Sequence, residues 1–201
     1  MFLVKRCFLN QYIKKKRKTM SKIILASTSP RRKELLEREG IDFKVDASFI
    51  DETLDDSLPI EKRLCDLAMR KAYPIHQKYP HDIVIAADTV VYFDHCVIGK
   101  PHDRQEAYEI LMRLSHHRHD VYTGVAIYMG NDLKTFCEKT QVFFKDITAM
   151  IDDYLDSNEW MGKAGAYGIQ GKASVFVDYI VGDRDNVIGL PITKVKECLK
   201  Q

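Results

Sequence analysis

Strand and helix signals alternate at both ends of this chain around a central hairpin, and that order predicts an α/β domain built on a mixed sheet flanked by helices. Three observations carry the prediction. Ile83–Phe93 (IVIAADTVVYF) is long, apolar and rich in β-branched residues, the pattern of a central strand buried on both faces. Residues 121–129 and 133–144 read as consecutive strands around Gly130-Asn131-Asp132, a good hairpin turn. Residues 22–26 and 43–45 read as short strands with a helical pattern between them.

Each element follows from its residues. Residues 22–26 (KIILA) suit a buried strand and run straight into a helix start at Ser29-Pro30. That helix covers residues 31–39, with Leu35 and Leu36 facing inward and Gly40 ending it. The acidic loop Asp51-Glu52-Thr53-Leu54-Asp55-Asp56 leads to Pro59, a first-turn residue of a second helix whose apolar stripe is Ile60, Leu64, Leu67 and Ala68. Pro74 is expected to kink or end it. Residues 103–114 form a helix with Ala107, Ile110, Leu111 and Leu114 on one side. Residues 147–155 read as helix, 175–181 as strand and 193–199 as a closing helix.

With 201 residues, 45% hydrophobic and 30% charged, one globular domain is expected. The net charge of +2 is unevenly spread. Residues 1–19 carry seven basic side chains and no acid, so residues 20–201 stand at −5 and imply no general nucleic-acid-binding surface. The leader reads as a targeting or nuclear-type basic tract, a disordered tail, or sequence upstream of a start at Met20. Met20-Ser21-Lys22, directly before the first strand, favours the last, which leaves residues 20–201 as the domain. Five scattered cysteines without a C-x-x-C pair suit a reducing, cytoplasmic compartment and speak against a disulfide framework or zinc ribbon. No run approaches the roughly 18 apolar residues of a membrane span, and the N-terminus lacks the features of a secretory signal.

The chemistry-bearing residues stand out against this frame. In Ser27-Thr28-Ser29-Pro30-Arg31-Arg32, Ser29 is a natural N-cap and Pro30 a natural first helical residue. Arg31, Arg32 and Lys33 then place three cations where the helix dipole favours anions. A bound anion accounts for them, because free N–H groups, serine hydroxyls and guanidinium forks suit a polyphosphate; a solvated basic first turn is the plainer alternative. Asp88 interrupts the apolar run 83–91, where a carboxylate must be paired, hydrogen-bonded or bound to metal. It also lies toward the end of a central strand, where open α/β sheets bind ligands. Lys71, i+4 from Leu67 and i+7 from Leu64, projects from an apolar stripe, either to act in a site or to snorkel. Lys100 sits on the loop Gly99-Lys100-Pro101, and Asp51 and Glu52 lie in an acidic loop that is solvated or holds Mg²⁺. The cluster His116-His117-Arg118-His119 lacks metal-ligand spacing and a nearby cysteine.

Together these segments resemble the Maf family of nucleotide pyrophosphatases, from Lys22 to about Leu199. The anchors are Ser27-Thr28-Ser29-Pro30-Arg31-Arg32-Lys33-Glu34-Leu35-Leu36, Ala87-Asp88-Thr89-Val90-Val91, Gly99-Lys100-Pro101, Thr123-Gly124-Val125-Ala126, residues 163–171 (KAGAYGIQG) and Gly189-Leu190-Pro191, in that order. The resemblance implies an elongated domain with a twisted mixed sheet and a central cleft, related to other house-cleaning nucleotide hydrolases. It implies cleavage of a nucleoside triphosphate between its α- and β-phosphates with a divalent cation, Mg²⁺ or Mn²⁺, and a homodimer.

By the same resemblance Asp88 is catalytic and holds metal with help from Glu52. Lys71 and Lys100 join Glu52 among the residues needed for activity, and Arg32 binds phosphate with the Ser27–Ser29 turn. Arg31, Thr89 and Gln170 stand where the 7-methyl-GTP branch carries Trp, Gln and Glu, which places the chain with the branch acting on dTTP, UTP and some modified pyrimidine nucleotides. The Gln170 amide can donate and accept against a pyrimidine's imide edge. Two segments depart from the family pattern. Leu114-Ser115-His116 replaces Leu-Ser-Gly, and Glu159-Trp160-Met161-Gly162-Lys163 replaces Glu-Pro-x-Asp-Lys. Two rivals remain: a non-catalytic nucleotide-binding regulator of septum formation or cell division, and a nucleic-acid-binding module resting on Lys14–Lys18 and Arg31-Arg32.

Overall fold

The structure is a computed structural model in which residues 21–200 are described; the basic leader and the expected start at Met20 lie outside the described residues. In chain order the elements are β1 (Ile23–Leu25), α1 (Pro30–Arg38), β2 (Phe43–Val45), α2 (Ile60–Lys78), β3 (Ile83–Phe93), β4 (Cys96–Ile98), α3 (Arg104–Leu114), β5 (Arg118–Met129), β6 (Asp132–Phe144), α4 (Ile151–Asp156), β7 (Val177–Val181), α5 (Arg184–Ile188) and α6 (Ile192–Leu199).

The apolar run 83–93 becomes the axis of a seven-stranded mixed sheet ordered β2-β1-β3-β5-β6-β7, with β4 beside β3. On one edge β3 pairs antiparallel with β5 from Ile83↔Met129 to Tyr92↔Asp120. Its other edge is shared. Parallel β1 occupies it from Ile23↔Ile83 to Leu25↔Ile85, and antiparallel β4 joins only at Val91↔Ile98. Residues 87–90 of β3 therefore have a strand on one side only. That notch positions the site.

Side chains alternate across β3 as a pleated strand requires. Val84 and Ala86 lie under α2 with Ala68, Ala72 and Ile75. Ile85 and Ala87 face the opposite layer, against Leu35 and Leu36 of α1 and Ile192 and Val195 of α6. Leu35 and Leu36 are essentially inaccessible, and burial of each stabilises the α1 contact by about 1.5–3 kcal/mol. Beyond the notch a third cluster joins Val91 to Leu111, Leu114 and Trp160, extending the core under α3 and α4.

The structure departs from the sequence reading at several points. Helix α2 continues through Pro74 to Lys78. Pro74 is exposed, whereas Ile75 and His76 beside it are buried, and the His76 ring stacks on Tyr128 at 4.2 Å between centroids. That packing holds the last turn where proline removes a backbone donor. Strand β5 starts at Arg118, so His119 of the histidine cluster is a buried strand residue. The five-residue α5, too short to show a period, is capped by Asp183, whose carboxylate accepts from Asp185 N at 2.8 Å. Met129↔Asp132 pairing leaves Gly130 and Asn131 as the hairpin turn. At His116, where the family pattern has glycine, φ is +61°, a left-handed conformation uncommon for a residue with a side chain.

Candidate active site

The notch opens into a cavity of about 350 Å³, a size suited to a small-molecule ligand. Ten candidate residues line it: Ser27, Ser29, Arg31, Arg32, Glu52, Lys71, Asp88, Thr89, Lys100 and Gln170. Asp51 does not, its carboxylate accepting instead from Thr53 N at 2.9 Å and Thr53 Oγ1 at 2.6 Å. The ten arrive from both faces of the sheet, because consecutive residues of β3 point to opposite sides.

On the α1 side the turn after β1 folds over its own hydroxyl. Ser27 Oγ accepts from the backbone N–H of Ser29 at 3.2 Å and from Arg32 Nη1 at 3.1 Å. Ser29 occupies the N-cap position of α1, but its side chain makes no capping bond, and the first turn contains no acid. Arg32 is fixed from two further directions, donating from Nε to Gly189 O at 2.8 Å and from Nη2 to Thr89 Oγ1 at 3.1 Å. Burial lowers its pKa from the ordinary arginine value, and the nearby Asp88 charge partly offsets this. Thr89 Oγ1 lies 2.9 Å from Thr123 Oγ1, which donates to Asn186 O at 3.1 Å. Asn186, fully buried, donates to Val121 O and Thr140 Oγ1 at 3.0 Å each. The Thr89 hydroxyl, expected on the base side, is thus engaged by the protein.

On the α2 side Asp88 meets Lys71. The lysine Nζ lies 2.5 Å from Asp88 Oδ1 and 3.0 Å from Glu52 Oε1, one ammonium between two carboxylates. The Lys71 and Asp88 side chains are 13% and 16% exposed, but Glu52 is 57% exposed, so only the inner pair is shielded from water. A glycine makes the approach possible. Gly124 is the Cα partner of Asp88 across β3 and β5, and a Cβ there would lie 2.3 Å from Leu64 O of α2. Seven residues on from Leu64, the same face of α2 presents Lys71.

Lys100 and Gln170 are exposed at the cavity's other walls, and neither makes a hydrogen bond or ion pair among the described residues. The Lys100 loop is tied to the Gly165 turn by Gly165 N donating to Gly99 O at 2.9 Å. Arg31 is half-buried, and burial lowers its pKa, with Glu34 and Tyr154 acting the other way. Lys163, not singled out as a candidate, also lines the cavity; burial and the Arg31 charge both lower its pKa.

A family model described as "Maf-like protein" matches residues 22–201. The chain belongs to the Maf-like family. Among its relatives, a dTTP/UTP pyrophosphatase of Geobacillus sp. (strain WCH70) is 47% identical over 183 residues, covering 90% of this chain and 98% of that protein. A dTTP/UTP pyrophosphatase of Bacillus cereus (strain ATCC 10987 / NRS 248) is 44% identical over 191 residues, covering 94% of each. A solved nucleoside-triphosphatase / dITP/XTP pyrophosphatase of Mycobacterium abscessus overlaps 61% of this chain and 74% of its own at 13% identity and a TM-score of 0.40, a likeness too slight to argue from.

In this Maf-like chain the residues that the sequence did not single out as site residues are Thr123, Asn186, Gly189 and Lys163. Thr123, Gly189 and Lys163 fall within the family anchors, whereas Asn186 had no local signal, being a buried polar residue in a helix of five. The histidine cluster contributes elsewhere. His117 Nδ1 lies 2.7 Å from Ser115 O, and His119 Nε2 lies 2.8 Å from the hydroxyl of Tyr167, a buried residue of the cavity wall. Burial depresses the His119 pKa to about 3. Among the described residues no helix is long and apolar enough to cross a membrane.

A divalent cation fits the Asp88 and Glu52 carboxylates in one respect. Both already converge on a single positive atom, Lys71 Nζ. Among the described residues no group of three or more His, Cys, Asp or Glu side chains is placed to hold a metal alone. Two carboxylates, with the remaining ligands supplied by phosphate oxygens and water, match the way Mg²⁺ is bound with nucleotides.

Proposed function

We propose that this chain, with its domain in residues 20–201, hydrolyses dTTP and UTP to the nucleoside monophosphate and pyrophosphate. The observation that carries the reading is the notch on β3, where the Lys71–Asp88–Glu52 cluster and the Ser27–Arg32 turn face one cavity from opposite sides of the sheet. Phosphoryl chemistry asks the protein chiefly to position a nucleophile and neutralise charge, and the names of the relatives supply the substrates.

In this mechanism Arg32 and the turn amides grip the phosphate chain. Lys71 leaves its carboxylate partners in part to neutralise the triphosphate, and Lys100 stabilises charge on the departing pyrophosphate. Asp88 orients the attacking water and takes its proton. Asp88 and Glu52 hold Mg²⁺ or Mn²⁺, which supplies Lewis-acid neutralisation of the phosphates when bound. Arg31 and Gln170 shape the base side, and Thr89 acts through Arg32. The protein works in the cytoplasm as a homodimer, without a membrane or nucleic-acid partner.

Pyrophosphate release is measured for the purified full chain with UTP, dTTP, CTP, GTP and 7-methyl-GTP, with and without Mg²⁺ or Mn²⁺. Metal-dependent turnover of UTP and dTTP is expected. Absence of pyrophosphate from both, or a preference for 7-methyl-GTP, overturns the reading; nucleotide binding without turnover returns it to a regulator.

A further inference from the structure

A nucleobase has two flat apolar faces, and the cavity offers few surfaces to cover them. Among its lining residues only Phe49 and Tyr167 are aromatic. Tyr167 is 5% exposed, with its hydroxyl against His119 and its ring packed edge-on to Phe144, so it serves as wall. Phe49 is the opposite case. Its side chain is fully exposed at the cavity.

The loop between β2 and α2 presents it there. On one side of Phe49, Ser48 Oγ donates to Lys71 O at 3.3 Å. On the other, Arg70 donates to Asp51 O at 2.6 Å and to Thr53 O at 2.7 Å, and Glu52 pairs with Lys71. The chain is thus anchored to α2 before and after Phe49, by the residues that flank the Asp88 cluster. A lone surface phenylalanine needs no explanation; one held between two anchors at the edge of a polar, cation-rich cavity does.

We propose that Phe49 is a substrate-binding residue that stacks on the face of the substrate's nucleobase. The inference rests on the proposed nucleotide chemistry and adds the contact by which the base, as opposed to the phosphates, is held. Stacking is tolerant of base identity, so Phe49 supplies affinity and leaves pyrimidine selection to edge contacts such as Gln170.

Phe49→Ala raises KM for both UTP and dTTP about 10-fold, the scale of one lost base–aromatic contact, with kcat within about twofold. Phe49→Tyr restores KM. Inhibition by inorganic pyrophosphate, which has no base, is unchanged in Phe49→Ala, while inhibition by UMP weakens. Phe49→Trp adds an exposed fluorophore to a chain whose single tryptophan, Trp160, is buried, and UMP alters the emission of this variant where pyrophosphate does not.

A KM unchanged in Phe49→Ala, or emission of the Phe49→Trp variant indifferent to UMP, overturns the proposal. Unchanged KM together with a shift from dimer to monomer on gel filtration assigns Phe49 to a subunit contact instead. The UMP titration needs no turnover, so it remains decisive even if the wild type releases no pyrophosphate, the outcome that removes the catalytic reading alone.

Discussion

Asp88 and its neighbour Thr89 point to opposite faces of one strand, and the two half-sites they anchor are built differently. On the Thr89 side each guanidinium nitrogen of Arg32 meets a fixed partner, through Ser27, Gly189 and Thr89, and the chain of bonds continues through Thr123 into buried Asn186. On the Asp88 side one lysine is shared by two carboxylates, and one of these, Glu52, is more than half exposed on a loop. The contrast teaches a division of labour. A network that keeps its geometry suits binding, because little reorganisation is required when an anion arrives. An ion cluster with one member, Glu52, open to water suits chemistry, because its members must exchange partners when phosphate and metal enter.

The sharpest way to break this contrast is to remove charge from the reactive half alone. Asp88→Asn keeps the shape of the side chain but loses the base and the metal ligand. Turnover of UTP should fall by about 10³-fold or more. Circular dichroism and Tm should stay close to wild type, since Lys71 keeps its ion pair with Glu52 when the Asp88 charge is removed. Near-wild-type turnover in excess Mg²⁺ removes Asp88 from the mechanism and with it the reactive character of this side.

A second change tests the packing on which the reactive half depends. At Gly124 a Cβ meets Leu64 O at 2.3 Å and Leu64 Cβ at 2.7 Å, both belonging to the helix that carries Lys71. Gly124→Ala must push α2 off the sheet. Overpacking of this kind costs about 1–3 kcal/mol, and a displacement of about 1 Å at the lysine can lower the rate about 100-fold. Lower Tm with a kcat loss that exceeds any KM change is the expected result; full activity at reduced Tm shows that Lys71 does not depend on the approach.

How far these features are legible in the residues follows the same line. The position of β3, the hairpin and the helices comes from period and composition, which are local. Asp88 stands out because an acid in an apolar run has few inexpensive fates, and Lys71 because it sits on an apolar stripe. The pairing of those two is not legible, since it depends on α2 crossing β5 at Gly124, 60 residues away from Leu64 in sequence. Arg31 and Arg32 are equivalent in composition; only the seating of Leu35 and Leu36 decides which guanidinium turns toward Gly189. Pro74 misleads because the burial of Ile75 and His76 outweighs one missing hydrogen bond. Asn186 and Phe49 have no pattern to announce them, one in a single-turn helix and the other alone in a loop.

The mildest expected effect comes from the binding half and sharpens its definition. Thr89→Val keeps the volume and the β-branched backbone preference of the strand but deletes the hydroxyl between Arg32 and Thr123. Arg32 retains Gly189 and Ser27, so the guanidinium stays in place but one N–H loses its partner, a cost of about 1–3 kcal/mol. If Thr89 serves to aim Arg32, KM for UTP and dTTP should rise together by about 10-fold, corresponding to about 1.4 kcal/mol, with kcat nearly constant and inhibition by inorganic pyrophosphate weakened in parallel. A residue that reads the base gives a different signature: the UTP to CTP preference changes and pyrophosphate inhibition does not. The two outcomes separate a side chain acting through Arg32 from one touching the nucleotide, and so decide whether the fixed half of the site holds phosphate alone.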